Sequence, residues 1–444
     1  MAEKSECSII DRLHELIPVI VKSSDLSVKV KAALSRDLTP LEPGKGVVLI
    51  AMGKGAPAMA RGAIEVLGEK IVGGMVATAP GIDVSGIEGL EVILGGHPIP
   101  NEGSLRAGEA ALEWARQARG AGGLLVLVSG GGSALVEAPL GGLSLEDITR
   151  ATKTLLESGA SIDEINAVRK HVSRVKGGRL AAEAHPAPLL GLYASDVPGD
   201  RLDAIASGPT TPDPTTYKDA LGVLEFYGIR GLMPSKVVDI LERGARGELP
   251  ETPKPGDRVF ANVRNELVAA NIDVLQAIAG HLEAQGYKTL ILTSRLEGES
   301  KDVARALASI ALEALGRGIP ERPPLAVIAG GETTVKVRGK GRGGRNTELA
   351  LAWAIRMSYW GARCEAGLLA MDTDGIDGVT DAAGAVVAPE DARRARAMGL
   401  DPLSFLADND SYTILSKLGR LIKTGPTGSN LNSVIVMLVG GPTS

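Results

Sequence analysis

Three cations fall within six residues in the run Gly339-Lys340-Gly341-Arg342-Gly343-Gly344-Arg345. The run reads as a loop that follows a strand over Thr333–Arg338 and precedes a helix opening at about Asn346. Glycines let a backbone come close to a ligand, and the free N–H groups of a helix start attract anions. Lys340, Arg342 and Arg345 would add side-chain charge, so the loop suits a polyphosphate. The plainer alternative is a basic loop lying in solvent. Its place between strand and helix favours the ligand, because open α/β sheets bind there. Just upstream, an apolar strand at Ala326–Ala329 runs into Gly330-Gly331-Glu332, which adds a carboxylate.

Other loops carry groups of the same kind. Gly53-Lys54-Gly55 follows an apolar strand and fits part of a dinucleotide fingerprint, with Ala58 in the last glycine's place. The acid expected at the end of the next strand is missing, since Thr78 leads into Ala79-Pro80. Lys54 sits where a cation can reach a phosphate held by the turn. Ser129-Gly130-Gly131-Gly132-Ser133 offers successive N–H groups and two hydroxyls, a nest for phosphate or carboxylate. Three glycines exceed what a turn needs. Asn166–Arg179 places Arg169, Lys170, Lys176 and Arg179 on or near one helix, with Arg169 and Lys176 taken as lining the ligand site. His171 reads as structural. Asp196 and Asp200 follow one buried strand; Asp372, Asp374 and Asp377 follow another. Carboxylates so placed hold Mg²⁺ beside phosphate oxygens, and one can serve as base toward a hydroxyl. Asp200, Asp372 and Asp374 are the metal candidates, while Asp377 reads as a turn residue. The Asp372 loop is not an EF-hand, because Ile376 takes a ligand position and no Glu stands twelfth. No GxxxxGK[ST] motif and no protein-kinase set occurs, so phosphoryl transfer here would need another scaffold.

Alternating strands and helices must position these loops. Strands are expected at Val47–Met52, Met75–Thr78, Val92–Leu94, Leu124–Val128 and Leu189–Ala194, then at Val259–Val263, Thr289–Thr293, Leu368–Met371 and Val434–Val439. Helices fill the intervals, including 8–35 interrupted at Pro18, and roughly Ile162–Ala184. Continuous apolar runs such as Val47–Met52 are buried on both faces of a parallel sheet. The expected fold is therefore two α/β domains, the first a doubly wound, mostly parallel sheet with helices on both faces. Pro-rich Glu248–Asp257 marks the boundary, giving domains 1–250 and 251–444.

With 444 residues, 44% hydrophobic, the chain can bury two real cores. Aromatics at 3% make those cores aliphatic and leave few rings to stack on bases; with a net charge of −5, nucleic acid is not expected. Cys7 and Cys364 are too few for a disulfide framework or a zinc site. The start, MAEKSECSIIDRLHEL, lacks the pattern of a signal peptide, and no apolar run reaches membrane-spanning length. The expected location is cytoplasmic, with small molecules as partners and no membrane. The sequence assigns no oligomeric state.

Taken together, the loops resemble the class II glycerate kinases, whose C-terminal part is the MOFRL domain. The likeness is carried by Gly53-Lys54-Gly55-Ala56, SGGGSAL at 129–135, NAVRKHVSRVKGGRLA at 166–181, SDVPGD at 195–200, IASGPT at 205–210, GGETTVKVRGKGRGGRNTELAL at 330–351 and MDTDGIDGVTDAAGA at 371–385. The resemblance implies two α/β domains with the active site in the cleft between them, a mixed sheet in the second, and a MOFRL-like part at about 322–440. It implies transfer of phosphate from ATP to D-glycerate, giving 2-phosphoglycerate, with a divalent metal, here taken as Mg²⁺. Matched motif by motif, Lys54 and Arg345 would be the key cations, with Asp196 and Glu332 as acidic partners. Asp196 would orient or deprotonate the glycerate hydroxyl, or bind metal. Some family members are named hydroxypyruvate reductases, so an NAD(P)H-dependent reductase is the enzymatic rival. A non-enzymatic sugar-acid or nucleotide-binding protein is the other.

Overall fold

The computed structural model describes residues 2–362 and 365–441, with side chains from Ile9 onward. Cys364 and the side chain of Cys7 lie outside what is described. The chain forms two compact units, one of residues 26–269, the other joining the N-terminal 25 residues to the chain from Ala270 onward.

The first unit holds a six-stranded sheet built from β1 (Val47–Met52), β2 (Ile71–Thr78), β3 (Glu91–Leu94), β4 (Leu124–Val128), β5 (Leu189–Ala194) and β6 (Val263–Ala269). Its order is β3-β2-β1-β4-β5-β6, and every pair is parallel. This is the order of doubly wound nucleotide-binding sheets, and the order reverses between β1 and β4. All residues of β1, β4 and β5 are buried, as their unbroken apolar runs require. Val48, Ile50 and Met52 pack with helix Glu102–Gln117 on one face. Helices Leu26–Arg36 and Ala56–Leu67 cover the other. A separate aliphatic cluster joins helices Leu145–Glu157, Ile162–His171, Tyr217–Phe226 and Ser235–Ala245.

The second unit carries β7 (Lys288–Leu296), β8 (Leu325–Gly331), β9 (Ala366–Asp372), β10 (Gly384–Val387), β11 (Leu421–Ile422) and β12 (Ser433–Val439), in the order β11-β10-β9-β12-β8-β7. Only β7 and β8 run parallel; the other pairs are antiparallel, so the sheet is mixed. Helix Arg345–Tyr359, with Trp353 fully buried, packs onto it.

Five expectations change. Thr333–Arg338 is not a strand; it forms a single bridge, Thr334 to Glu299. Its later N–H groups bond to side chains instead of a neighbouring strand. Ile162–Ala184 is two helices, Ile162–His171 and Arg179–Ala184, broken where Gly177 and Gly178 take positive φ. The N-terminal helix Ala2–Ser23 runs through Pro18, and the break comes at Ser24–Asp25. The strand expected at Val259–Val263 begins at Val263, after a short turn of helix at Arg258–Phe260. It closes the first sheet, so the division falls at Ala269–Ala270 rather than at 250–251. The Pro-rich segment itself is tied into the first unit, since Thr252 donates to buried Asp213 at 2.9 Å.

Candidate functional site

In the first unit the loops after β1 and β4 meet at the point where strand order reverses. Lys54 N donates to Gly130 O at 2.8 Å, and Gly55 N donates to Ser129 Oγ at 3.0 Å. The Ser129 side chain is fully buried, so it knits the two turns together rather than facing a ligand. Gly53 must lack a side chain, because a Cβ there would lie 2.4 Å from Ser129 O. Lys54 is half-buried, and its ammonium has no ion-pair partner among the described residues. Gly131, in the left-handed region at φ 82°, opens the short helix Gly132–Leu135.

Ser133, half-buried, is tied to a second turn. Its hydroxyl lies 2.8 Å from that of Ser207, which in turn donates to Asn166 Oδ1 at 2.8 Å. Ala206, Ser207 and Gly208 all hold positive φ. For the two non-glycine residues this costs about 1–3 kcal/mol each and persists only where neighbours enforce it. The enforcement is visible: Gly177 N and Gly178 N donate to the carbonyls of Ser207 and Gly208 at 2.9 and 2.8 Å. The IASGPT and KGG motifs are thus one device that holds the 205–208 turn against the 129–133 turn. This role is not legible from either motif alone.

Lys176 is a correction. It is buried in an ion pair with Glu137, also buried, and donates to Val136 O at 3.3 Å. Burial pulls its pKa below the usual lysine value, with Glu137 opposing. It supports the turn and cannot line a ligand site. Lys170 is likewise enclosed, between Asp203 at 3.4 Å and Asp213 at 3.3 Å. His171 is structural as expected, fully buried and bonded to Ala167 O and Glu251. Arg169 differs, being half-buried with no hydrogen bond or ion pair from its guanidinium among the described residues. Asp196 and Asp200 stand partly exposed in the loop after β5, beside β4.

The second unit gathers a different cluster. β8 and β9 both run antiparallel to β12, so Gly331 and Asp372 flank Ser433 in register. That register places Glu332 and Asp372 on either side of Arg345. Arg345 donates to Asp372 twice, from Nε at 3.1 Å and from NH2 at 2.7 Å, and to Glu332 from NH1 at 2.5 Å. Burial works against its charge, but the two carboxylates outweigh this and raise its pKa above the ordinary value. Asp372 also accepts from Asn346 Nδ2 at 3.0 Å and Ser433 Oγ at 2.8 Å. Four donors saturate its oxygens, so Asp372 is the partner of Arg345 and does not fit as a metal ligand. Asp374 accepts from Ile376 N at 2.9 Å within its own turn.

The basic loop itself is built differently from what its composition suggests. Arg338 N and Gly339 N donate to Asn409 Oδ1, Lys340 N to Asp408 Oδ1, and Arg342 N to Asp410 Oδ1. A Cβ on Gly339 would fall 2.2 Å from Asp408 O, and one on Gly343 2.3 Å from Ser411 Oγ. The glycines make room for residues 408–411, not for a ligand. The helix start is also taken: buried Asp377 accepts from Asn346 N at 2.9 Å and Thr347 N at 2.8 Å. The anion at this N-terminus is the protein's own. Lys340 and Arg342 are exposed, and Arg342 lies 4.8 Å above the ring of Tyr412. The Gly-rich run therefore follows no strand, and its amides at 338–342 are taken by the protein itself.

A nucleotide-type parallel sheet with an unpaired lysine at its reversal point defines an α/β protein suited to anionic ligands. A family model described as MOFRL family matches residues 325–433, and one described as a domain of unknown function, DUF4147, matches residues 12–242. The D-glycerate 2-kinase of Thermotoga maritima is 43% identical, covering 97% of this chain and 99% of that protein. The crystal structure of a glycerate kinase from Thermotoga maritima superposes with a TM-score of 0.86 at 42% identity, covering 96% of this chain and 99% of that one. An Agrobacterium vitis relative, 41% identical over 96% of this chain and 94% of its own length, carries a provisional hydroxypyruvate reductase name. The chain belongs to the class II glycerate kinase family.

Proposed function

We propose that the protein transfers the γ-phosphate of ATP to the 2-hydroxyl of D-glycerate. The observation that carries this reading is Lys54: a half-buried cation without a partner, presented by the backbone turn at the sheet's reversal point. The full-length relationship to the D-glycerate 2-kinase supports the substrate pair. Phosphoryl transfer is mostly positioning and charge stabilisation, so cations carry much of it. In this reading Lys54 stabilises charge on the transferring group. Arg345, fixed by Asp372, keeps its NH1 edge for phosphate in exchange for exposed Glu332. Lys54 and Arg345 belong to different units. Arg169 and Ser133 contact substrate, as do the amides of Gly130 and Gly131. Lys340 and Arg342, exposed, add long-range attraction for anions.

Mg²⁺ takes one or two carboxylates and fills its remaining positions with water and phosphate oxygens. Asp196 and Asp200 fit that requirement. Among the described residues no group of three or more His, Cys, Asp or Glu side chains could cage a metal, which also suits a metal that arrives with its nucleotide. When bound, Mg²⁺ supplies Lewis-acid neutralisation of the polyphosphate. Asp196 orients the glycerate hydroxyl or joins that metal set.

The reductase reading gains no nucleotide-binding amides in the Gly-rich run, since those of residues 338–342 are occupied by Asn409, Asp408 and Asp410. No helix among the described residues is long and apolar enough to cross a membrane, and we place the enzyme in the cytoplasm. One experiment tests the function: ADP release from ATP with D-glycerate, run beside NAD(P)H oxidation with hydroxypyruvate. ADP release dependent on glycerate, with no NAD(P)H oxidation, is expected. The reverse pattern would sink the kinase reading.

A further inference from the structure

The turn after β3, Gly95-Gly96-His97-Pro98-Ile99-Pro100-Asn101, is held at both ends. Gly95 N donates to Thr78 O at 2.9 Å, and Gly96 N donates to Ser104 Oγ at 3.0 Å. Asn101 caps helix Glu102–Gln117, accepting from Ser104 N at 3.1 Å. A Cβ on Gly95 would lie 2.7 Å from Leu135 O, so the turn sits against the short helix that Gly131 opens. This fixes where His97 points. A Cβ built on Gly131 would lie 2.9 Å from His97 Cδ2, 3.2 Å from its Nε2 and 3.5 Å from Lys54 Cγ. The Nε2 edge of the imidazole and the stem of Lys54 therefore border the same bare glycine.

His97 contrasts with His171. The latter is buried with both ring nitrogens bonded. His97 is exposed, and neither of its ring nitrogens hydrogen-bonds to protein among the described residues. A structural histidine has satisfied nitrogens; one held rigidly with open nitrogens beside a catalytic cation is placed for a ligand. The charged groups that face it are Lys54, from the turn after β1, and Arg169, from helix Ile162–His171. The 129–133 turn contributes none.

We propose that His97 is a further catalytic residue, whose Nε2 takes the proton of the glycerate 2-hydroxyl as that oxygen attacks the γ-phosphorus. The hydroxyl O–H bond breaks and an O–P bond forms. The bond from γ-phosphorus to the bridging oxygen breaks, and its electron pair leaves with ADP. The imidazolium then gives its proton to water as product departs. This rests on the kinase reading, and it leaves Asp196 and Asp200 to the metal. The ring is neutral and ready: burial, with Lys54 and Arg169 adding to it, lowers its pKa to about 4. The residue as a whole is exposed; its ring loses solvent beside the Gly131 turn and the Lys54 stem. Binding two anionic substrates offsets both cations, so basicity rises when the hydroxyl arrives.

The test uses the whole enzyme with ATP, Mg²⁺ and D-glycerate, comparing wild type, His97→Ala and His97→Asn. A general base contributes about 10²–10⁴-fold. Both variants should lose about 10²-fold or more in kcat, with KM for ATP within about threefold of wild type. Melting should be unchanged, since the side chain is exposed. In wild type, log kcat should fall on the acid side with an apparent pKa above 4; His97→Asn should lose that limb. Near-wild-type kcat in both variants, or an acid limb that survives in His97→Asn, overturns the assignment while leaving the kinase reading intact. Wild type that binds ATP but shows no glycerate-dependent turnover would overturn both.

Discussion

The arginine–carboxylate cluster makes a demand on stability that can be worked out. In Arg345→Ala, Asp372 keeps its bonds from Asn346 and Ser433 but loses two charge-assisted bonds and its counterion. Its side chain is 5% exposed and that of Arg345 21%, so solvent compensates poorly. Removing one partner of a buried pair costs about 3–5 kcal/mol; the partial exposure of Arg345 argues for the lower end, about 3 kcal/mol. The Glu332 arm adds little, because Glu332 is 51% exposed. For a domain of roughly 150–250 residues, that loss corresponds to a melting shift of about 6–12 °C. The assay is urea unfolding followed by tryptophan fluorescence. Trp353 lies on the helix that Arg345 opens, and Trp360 follows it, so two of the three tryptophans report this unit. Asp372→Asn in the same background should then cost less than it does alone, by about 1 kcal/mol or more, because the stranded charge is gone. An Arg345→Ala protein with the wild-type midpoint would refute the claim that this pair is part of the unit's core. It follows that lost activity in Arg345→Ala mixes catalysis with damage to the fold. Arg345→Lys and Lys54→Ala are the cleaner probes.

Lys54→Ala should lower kcat by about 10²–10³ and melt like wild type, since its ammonium has no protein partner to strand; full activity would show that the Gly-Lys-Gly turn is only a turn. Asp196→Asn should likewise lower kcat with the fold intact, and a near-wild-type rate would remove it from the site. Lys176→Met should lose about 3–5 kcal/mol in urea, because it leaves Glu137 charged and buried; an unchanged midpoint would mean the pair contributes nothing. Asp377 gives a pH signature. Burial, with the charge of Asp372 adding to it, raises its carboxyl to about 6 from an unfolded value of 3.8. Its contribution is therefore present below 3.8 and is lost as pH rises through about 6, amounting to ~3 kcal/mol. Urea midpoints at acid and neutral pH should show that loss in wild type and less of it in Asp377→Asn; equal losses would refute the assignment.

Where the sequence could be read and where it could not divides along a physical line. A strand buried on both faces must be apolar throughout, so Val47–Met52, Leu124–Val128 and Leu189–Ala194 were visible residue by residue. Their C-terminal turns were visible too, because a parallel sheet puts every such turn at one edge. Partners far off in the chain were not visible. Thr333–Arg338 alternates like a strand, yet its later N–H groups are satisfied by Glu299 and Asn409, 37 and 71 residues away in the chain. A glycine records only that something comes close. In the run from Gly339 to Gly344 that something is the 408–411 segment and Asp377, and no local pattern separates this from a phosphate. Cations divide the same way. Lys54, Arg169, Lys176 and Arg345 look alike in sequence, but Lys176 pairs with buried Glu137, Arg345 pairs with buried Asp372 and exposed Glu332, and Lys54 and Arg169 make no ion pair among the described residues. A half-buried charge without an internal counterion raises the energy of the empty protein, and an anionic substrate lowers it. In the function proposed here, that imbalance, rather than the density of basic residues, marks the substrate site, which would lie beside Gly131 and not in the loop richest in charge.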